Sequence, residues 1–283
     1  MIKYIIFSIL FVILVVIFFI AVSDIRFRKI KNVTYTIESE KIKKSVKAVF
    51  VSDFHNCGDI GEIVKRIENI SPDVVFLGGD LVDRISGCQQ GYQLANILVR
   101  KYNCYFAPGN HEYGLKNPEE VLSDLQKIGV KVLEDKVEKV TINGNKIDIC
   151  GVYDGVKLSE NSMATQLKNV NYNSNKENYR ILLAHFPVYA KSYFRYKFDL
   201  ILSGHEHGGM ISLPHKDKGL IGHKGFFPTF SGGEYVKENS VLIVSRGISY
   251  PKYNYILPRL FNNPELVVIN IKGLNKENGQ NSN

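Results

Sequence analysis

Five short apolar runs in this chain each end in side chains that can hold a metal ion. Val49–Ser52 is followed by Asp53-Phe54-His55, and Val74–Gly78 by Gly79-Asp80-Leu81-Val82-Asp83. Tyr105–Pro108 leads into Gly109-Asn110-His111-Glu112, Ile181–Ala184 into His185, and Leu200–Ser203 into Gly204-His205-Glu206-His207. Asp, His and Asn are oxygen and nitrogen ligands of moderate hardness, a set that suits Mn²⁺, Fe²⁺/Fe³⁺ or Zn²⁺ rather than Ca²⁺ or a copper thiolate. They are too many for one tetrahedral ion. They fit two ions about 3.5–4 Å apart that share a carboxylate. Asp80 is the natural bridge, because its two oxygens can serve one ion each. Each piece alone says little: D-x-H recurs by chance, a lone Gly-Asp is usually a turn, and one histidine at a strand end is usually a hydrogen-bonded polar residue. The ordered series carries the reading.

The elements that must position these residues are β-strands whose carboxyl ends face one crevice, where open α/β sheets bind ligands. Strands are predicted at 46–52, 72–78, 102–107, 179–184, 198–203, 240–245 and 265–271, with a hairpin over 139–152 turning at Asn143-Gly144. A helix is predicted from Pro118 to Ile128, with Asn117 as N-cap and Gly129 as stop. Others are expected near Gly61–Ile70 and Tyr92–Tyr102. The class is mixed α/β (α+β), with neither an internal repeat nor a domain-splitting linker after residue 47.

The series D-x-H, G-D-x-x-D, G-N-H-E, H, G-H-x-H resembles that of the calcineurin-like metallophosphoesterases over residues 46–271. Gly208-Gly209, Ser245-Arg246-Gly247, Pro258-Arg259 and Pro264-Glu265 make it most similar to the bacterial membrane-anchored subgroup. The fold this implies is a four-layered α/β/β/α sandwich. The resemblance assigns Asp53, His55, Asp80 and His207 to the first ion, and Asp80, Asn110, His185 and His205 to the second. His111 is then the catalytic histidine, binding phosphate with Asn110, and Asp83 a supporting carboxylate. Glu112 stands where Asp is common and Glu206 where Thr is common. Two cations so held would give a bridging hydroxide that attacks phosphorus in line. The implied substrates are phosphodiesters or pyrophosphates, among them a lipid-linked nucleotide such as UDP-2,3-diacylglucosamine. A protein or small-molecule phosphomonoesterase is the alternative within the fold, and a catalytically silent membrane scaffold the alternative of another class. Arg246, after a strand, is read as a phosphate contact or a surface ion pair. The segment 210–235 reads as a substrate- or membrane-facing flap beside the site, or as a plain surface loop.

Twenty uncharged residues separate Lys3 from Asp24. A helix of that length spans about 30 Å, a bilayer's hydrocarbon thickness. The run is longer than a signal-peptide core, and Ala21-Val22-Ser23 is a poor cleavage match. The expected organisation is a transmembrane anchor (1–23), a basic juxtamembrane linker (24–45), a catalytic domain (46–272) and a disordered polar tail (273–283). Residues 24–47 carry eight Lys/Arg against three acids, +5 of the chain's net +8. The body is therefore near neutral, which argues against nucleic acid as a specific partner. The partners expected are the bilayer and a phosphoester substrate; nothing in the sequence specifies an oligomeric state. Arg26, Arg28, Lys29 and Lys31 beyond the span place the domain in the cytoplasm, while the resemblance includes exported proteins and keeps that face open. The cysteines Cys57, Cys88, Cys104 and Cys150 lack C-x-x-C spacing and read as free thiols.

Overall fold

The computed structural model describes residues 2–26, 29–153, 160–212, 219–222, 225–250 and 259–274. Helix α1 (Ile2–Arg26) is followed by strands β1 (Lys31–Ser39) and β2 (Val46–Val51), then α2 (Ile60–Ile70), β3 (Val74–Leu77), α3 (Gln89–Val99) and β4 (Cys104–Phe106). Next come the short α4 (Asn110–Tyr113), α5 (Pro118–Ile128), β5 (Lys131–Val132), β6 (Lys136–Ile142), β7 (Asn145–Val152) and α6 (Glu160–Asn173). The second half runs through β8 (Tyr179–Ala184), α7 (Ala190–Arg195), β9 (Leu200–Ser203), β10 (Ile211–Ser212), β11 (Gly219–Gly222), β12 (Gly225–Phe226), β13 (Gly233–Lys237), β14 (Ser240–Val244) and β15 (Glu265–Gly273).

Two six-stranded sheets result, in the orders β1-β15-β2-β3-β4-β5 and β13-β14-β9-β8-β7-β6, with β10-β11-β12 as a separate ribbon. The period-2 alternation of strands decides the layers. Ala48, Phe50, Phe76, Ile181, Leu183 and Leu202 turn into the core between the sheets. Their neighbours Val49, Val51, Val75 and Leu77 turn outward beneath Ile63 and Ile67 of α2, Leu94 and Leu98 of α3 and Leu125 of α5. On the other sheet Leu182, Ala184, Ile201 and Val244 meet Met163, Leu167 and Val170 of α6 and Tyr193 of α7. The layers are thus helix, sheet, sheet, helix.

Local chemistry explains the element ends. Asp59 caps α2 by accepting from the Glu62 amide, and Gly129 ends α5 at φ 111. Asn117 occupies the N-cap position of α5, but its amide donates to Glu120 instead of accepting a backbone N–H. Asn143 and Gly144, both at positive φ (53 and 80), turn the β6–β7 hairpin, the signature of a two-residue primed turn. Three expectations shift. The stretch expected as linker contains β1, which pairs parallel with β15. Helix α3 begins at Gln89, not Tyr92. Helix α6 and strands β5 and β13 had not been expected. Helix α1 covers the uncharged run, and beyond Val15 only Phe18 has a described side chain. Among the described residues no helix is long and apolar enough to cross a membrane. The tail 275–283, and His215, Lys216, Lys218, His223, Lys224 and Pro258, lie outside the described residues.

Candidate metal centre

The loops leaving β2 and β3 are zipped together by main-chain bonds, Asp53 N to Gly79 O (3.1 Å) and His55 N to Asp80 O (2.9 Å). Asp53, His55, Asp80, His205 and His207 all adopt positive φ, between 48 and 70. Few non-glycine residues do so, and each costs of order 1–3 kcal/mol. Two glycines make room for the carboxylates: a Cβ on Gly109 would meet Asp80 Oδ1 at 2.4 Å, and one on Gly204 would meet Asp53 Oδ2 at 2.4 Å.

Six of the seven expected ligands fall into two clusters. Asp53, His55 and His207 form one, Asp80, His185 and His205 the other. In the first, the Nε2 atoms of His55 and His207 are 3.1 Å apart, and Asp53 Oδ1 is 3.9 and 3.5 Å from them. Asp80 Oδ2 joins the clusters, 3.1 Å from His185 Nε2 and 3.7 Å from His55 Nε2. Asn110, the seventh, begins α4 in the loop after β4, and its Oδ1 is buried without a hydrogen-bond partner. Beside the clusters, Asp83 Oδ2 lies 3.0 Å from His111 Nδ1 and 3.4 Å from His55 Nδ1.

Burial opposes charge on His185, yet the Asp80 and Asp53 carboxylates and the Gly78 carbonyl outweigh it and lift the imidazole to about 10. For His55, burial is likewise outweighed, by Asp83, Asp80 and Asp53, and its pKa rises. Burial dominates at His111, whose pKa falls although Asp80 pulls it upward. Asp80 is also desolvated, but His185, His55 and His111 hold its carboxyl below the usual carboxylate range. Asp83 is lowered in the same sense by His55 and by the Ser86 and Ile85 amides, again against burial.

The family model for calcineurin-like phosphoesterases matches residues 46–209, more than half of the chain and all seven candidate ligands. This chain is a calcineurin-like phosphoesterase. It is 33% identical over 253 residues to a metallophosphoesterase of Aquifex aeolicus, covering 84% of this chain and 90% of that protein. A metallophosphoesterase of Campylobacter jejuni is 30% identical over 248 residues, covering 84% of this chain. The chain spans only 62% of that relative's length. Among solved structures, TT1561 of Thermus thermophilus shares the fold with a TM-score of 0.52 at 13% identity, covering 73% of this chain and 92% of that one.

The residues present fit the dinuclear divalent centre that the phosphoesterase family implies. Asp53 Oδ2 and Asn110 Oδ1 are buried polar atoms with no hydrogen-bond partner, a costly arrangement unless something accepts their lone pairs. The two clusters have the nitrogen and oxygen donors of moderate hardness that Mn²⁺, iron or Zn²⁺ prefer.

Two residues that stand in the motifs, Glu112 and Arg259, had no role assigned from the sequence. Glu112 is fully buried, and its carboxylate accepts four main-chain N–H groups: Asp80 (2.9 Å) and Gly109 (2.8 Å) on Oε2, Leu81 (2.8 Å) and Val82 (3.1 Å) on Oε1. It clamps the Asp80 loop to the loop carrying Asn110 and His111. Burial and the nearby Asp80 charge raise its pKa against those donors. Arg259, also fully buried, directs Nη2 at His207 Nδ1 (3.0 Å) and Nη1 at the Arg246 carbonyl (2.7 Å). Asn262 donates to the His207 carbonyl at 2.6 Å. Arg246, read as a phosphate contact or a surface ion pair, has its Nε 4.0 Å from Glu265 Oε2, and both side chains are largely buried. Cys57, Cys88, Cys104 and Cys150 are free thiols.

Proposed function

We propose that the protein hydrolyses phosphodiester or pyrophosphate bonds at a dinuclear metal centre, in the manner of the membrane-anchored subgroup. What supports the dinuclear centre is the position of Asp80 Oδ2, 3.1 Å from His185 Nε2 in one cluster and 3.7 Å from His55 Nε2 in the other, where one carboxylate could serve both ions. Asp53, His55 and His207 would hold one ion, and His185, His205 and Asn110 the other. Bound there, a pair of ions supplies an activated water and Lewis-acid stabilisation of phosphate charge. The chain's own part centres on His111. Asp83 Oδ2 lies 3.0 Å from its Nδ1, so the carboxylate's charge favours the protonated ring and offsets part of the burial that lowers the His111 pKa. Nε2 is then the atom that delivers a proton to the departing oxygen. Asp83 Oδ1 is itself held by the Ile85 and Ser86 amides, both at 2.8 Å, so the base of this relay is rigid.

The uncharged run from Tyr4 to Ser23 supports an N-terminal anchor, and the four basic residues after it support a cytoplasmic body. A lipid-linked nucleotide is the substrate this reading favours. The test is a panel of bis-p-nitrophenyl phosphate, p-nitrophenyl phosphate and UDP-2,3-diacylglucosamine with the full chain in detergent and Mn²⁺. Diester or pyrophosphate turnover exceeding monoester turnover is expected. A monoester preference favours the phosphatase reading, and no turnover with two ions bound favours the silent scaffold. Protease added to intact spheroplasts decides the side: digestion without lysis means an exported body.

A further inference from the structure

The strand order places the start of the body at the metal-centre edge. Lys31 opens β1 opposite Glu265, and β1 runs parallel to β15. Strand β15 runs antiparallel to β2, with Val267 opposite Phe50. Continuing that register sets Glu265 beside Ser52, one residue before Asp53. Strands are about 4.8 Å apart, so Lys31 lies roughly 10 Å from the Asp53 loop. The chain is fastened there: Lys31 N donates to Pro264 O (2.9 Å) and Asn263 Nδ2 to Lys29 O (3.0 Å). Only residues 27 and 28 join Lys29 to Arg26, the last residue of α1, a reach of about 11 Å at most. A domain of this size is about 45 Å across. If α1 is in the bilayer, the edge next to it is the edge that carries the ligands.

The same edge bears exposed aromatic side chains. Ribbon β10-β11-β12 is rooted on the metal loop: a Cβ on Gly209 would touch Gly219 at 2.8 Å, and Ser212 N donates to Leu260 O at 2.9 Å. On the ribbon Phe226 and Phe227 are 74% and 67% exposed. Phe227 sits at φ 56, a left-handed conformation rare for a bulky residue. Two adjacent exposed phenylalanines on the edge that adjoins α1 match a surface that enters the headgroup–acyl boundary of a bilayer.

We infer that the metal-centre edge lies against the bilayer, with Phe226 and Phe227 dipping into it, so that the substrates are phosphoesters held at the membrane surface. This rests on the anchored-phosphoesterase reading and adds the orientation of the site. The chain has no tryptophan, so single substitutions give clean reporters. The full chain is placed in vesicles of anionic phospholipid brominated on the acyl chains. Phe226→Trp and Phe227→Trp are expected to emit at shorter wavelength and be quenched. Tyr172→Trp, 86% exposed near the end of α6 and leading to the opposite edge at the start of β8, is expected to stay bright. Quenching at Tyr172→Trp alone, at all three sites, or at none while the protein resists carbonate extraction overturns the inference and leaves the anchor standing. Release by carbonate overturns the anchor, and the inference with it. In a second arm, Phe226→Ser with Phe227→Ser should slow hydrolysis of a vesicle-borne phosphoester by on the order of tenfold per phenylalanine. Hydrolysis of soluble bis-p-nitrophenyl phosphate should be unchanged. Equal loss on both substrates means a structural ribbon and refutes membrane docking.

Discussion

Replacing Glu112 by glutamine keeps its volume and removes its charge. The amide oxygen can still accept from Leu81 and Val82. The amide nitrogen then faces the Asp80 and Gly109 N–H groups, donor against donor, where Oε2 had accepted at 2.9 and 2.8 Å. A hydrogen bond to a charged acceptor is worth about 1.5–3 kcal/mol, and each buried donor left unpaired costs about 1–3. Relief of burying one carboxylate near Asp80 offsets part of this, so the net loss should be about 2–5 kcal/mol. At about 2–4 °C per kcal/mol for a domain of this size, the unfolding midpoint should fall by roughly 4–20 °C. The same two N–H groups bracket the ligand loops, so Mn²⁺ content should fall as well. Glu112→Asp keeps the charge at shorter reach and should lose less on both counts. The measurements are thermal unfolding of the full chain in detergent with chelator, and elemental analysis after loading with Mn²⁺. A glutamine variant that melts within about 2 °C of the parent and holds the same metal would refute the clamp.

Asp80→Asn should lower the content of both ions, whereas His207→Ala should mainly lower one; elemental analysis separates them. His111→Ala should cut kcat by about 10²–10⁴ with metal content unchanged. The loss should be smaller for p-nitrophenolate than for an alkoxide leaving group, and equal losses remove the proton-donor role. In chelated protein His185 has a pKa raised to about 10. Its contribution to stability is therefore complete below pH 6.5, the ordinary histidine value, and is lost as pH rises toward 10. The unfolding midpoint should fall across that window less steeply in His185→Gln than in the parent. Glu238, at φ 53 in the turn between β13 and β14, should gain about 0.5–1 kcal/mol on Glu238→Asn, because asparagine tolerates left-handed backbone, with activity unchanged.

The strands that carry the ligands were legible because each is a short buried run, such as VVFL in β3 or LILS in β9, with the ligands directly behind it. Strand β1 was not. Its residues KNVTYTIES are mostly exposed, and its partner β15 lies at the far end of the chain, so neither hydrophobic pattern nor proximity marked it. Helix α6 did leave a signal, Met163, Leu167 and Val170 at helical spacing, diluted by asparagines of low helix propensity. Glu112 and Arg259 stood in the motifs, but what they do could be seen only in three dimensions. The N–H groups that Glu112 gathers include three from a loop thirty residues earlier. Arg259 meets His207 across fifty-two positions. Motif reading finds residues that act at the site; residues that hold those in place become visible when their partners are known.

The left-handed ligand residues show what the clamps are for. Strain of about 1–3 kcal/mol at each of Asp53, His55, Asp80, His205 and His207 is a sizeable sum against the 5–15 kcal/mol that keeps a typical domain folded. Glycine would relieve it at any of these positions, but glycine has no ligand atom. The chain instead surrounds the strained residues with bonds that fix them. Gly79 O and Asp80 O take the Asp53 and His55 amides, and Asp53 Oδ1 takes the His205 amide. Glu112 takes the Asp80 amide, and Asn262 binds the His207 carbonyl. Each bond joins segments that are distant in the sequence. The donor geometry is therefore a property of the assembled sandwich, and no single loop could keep it alone.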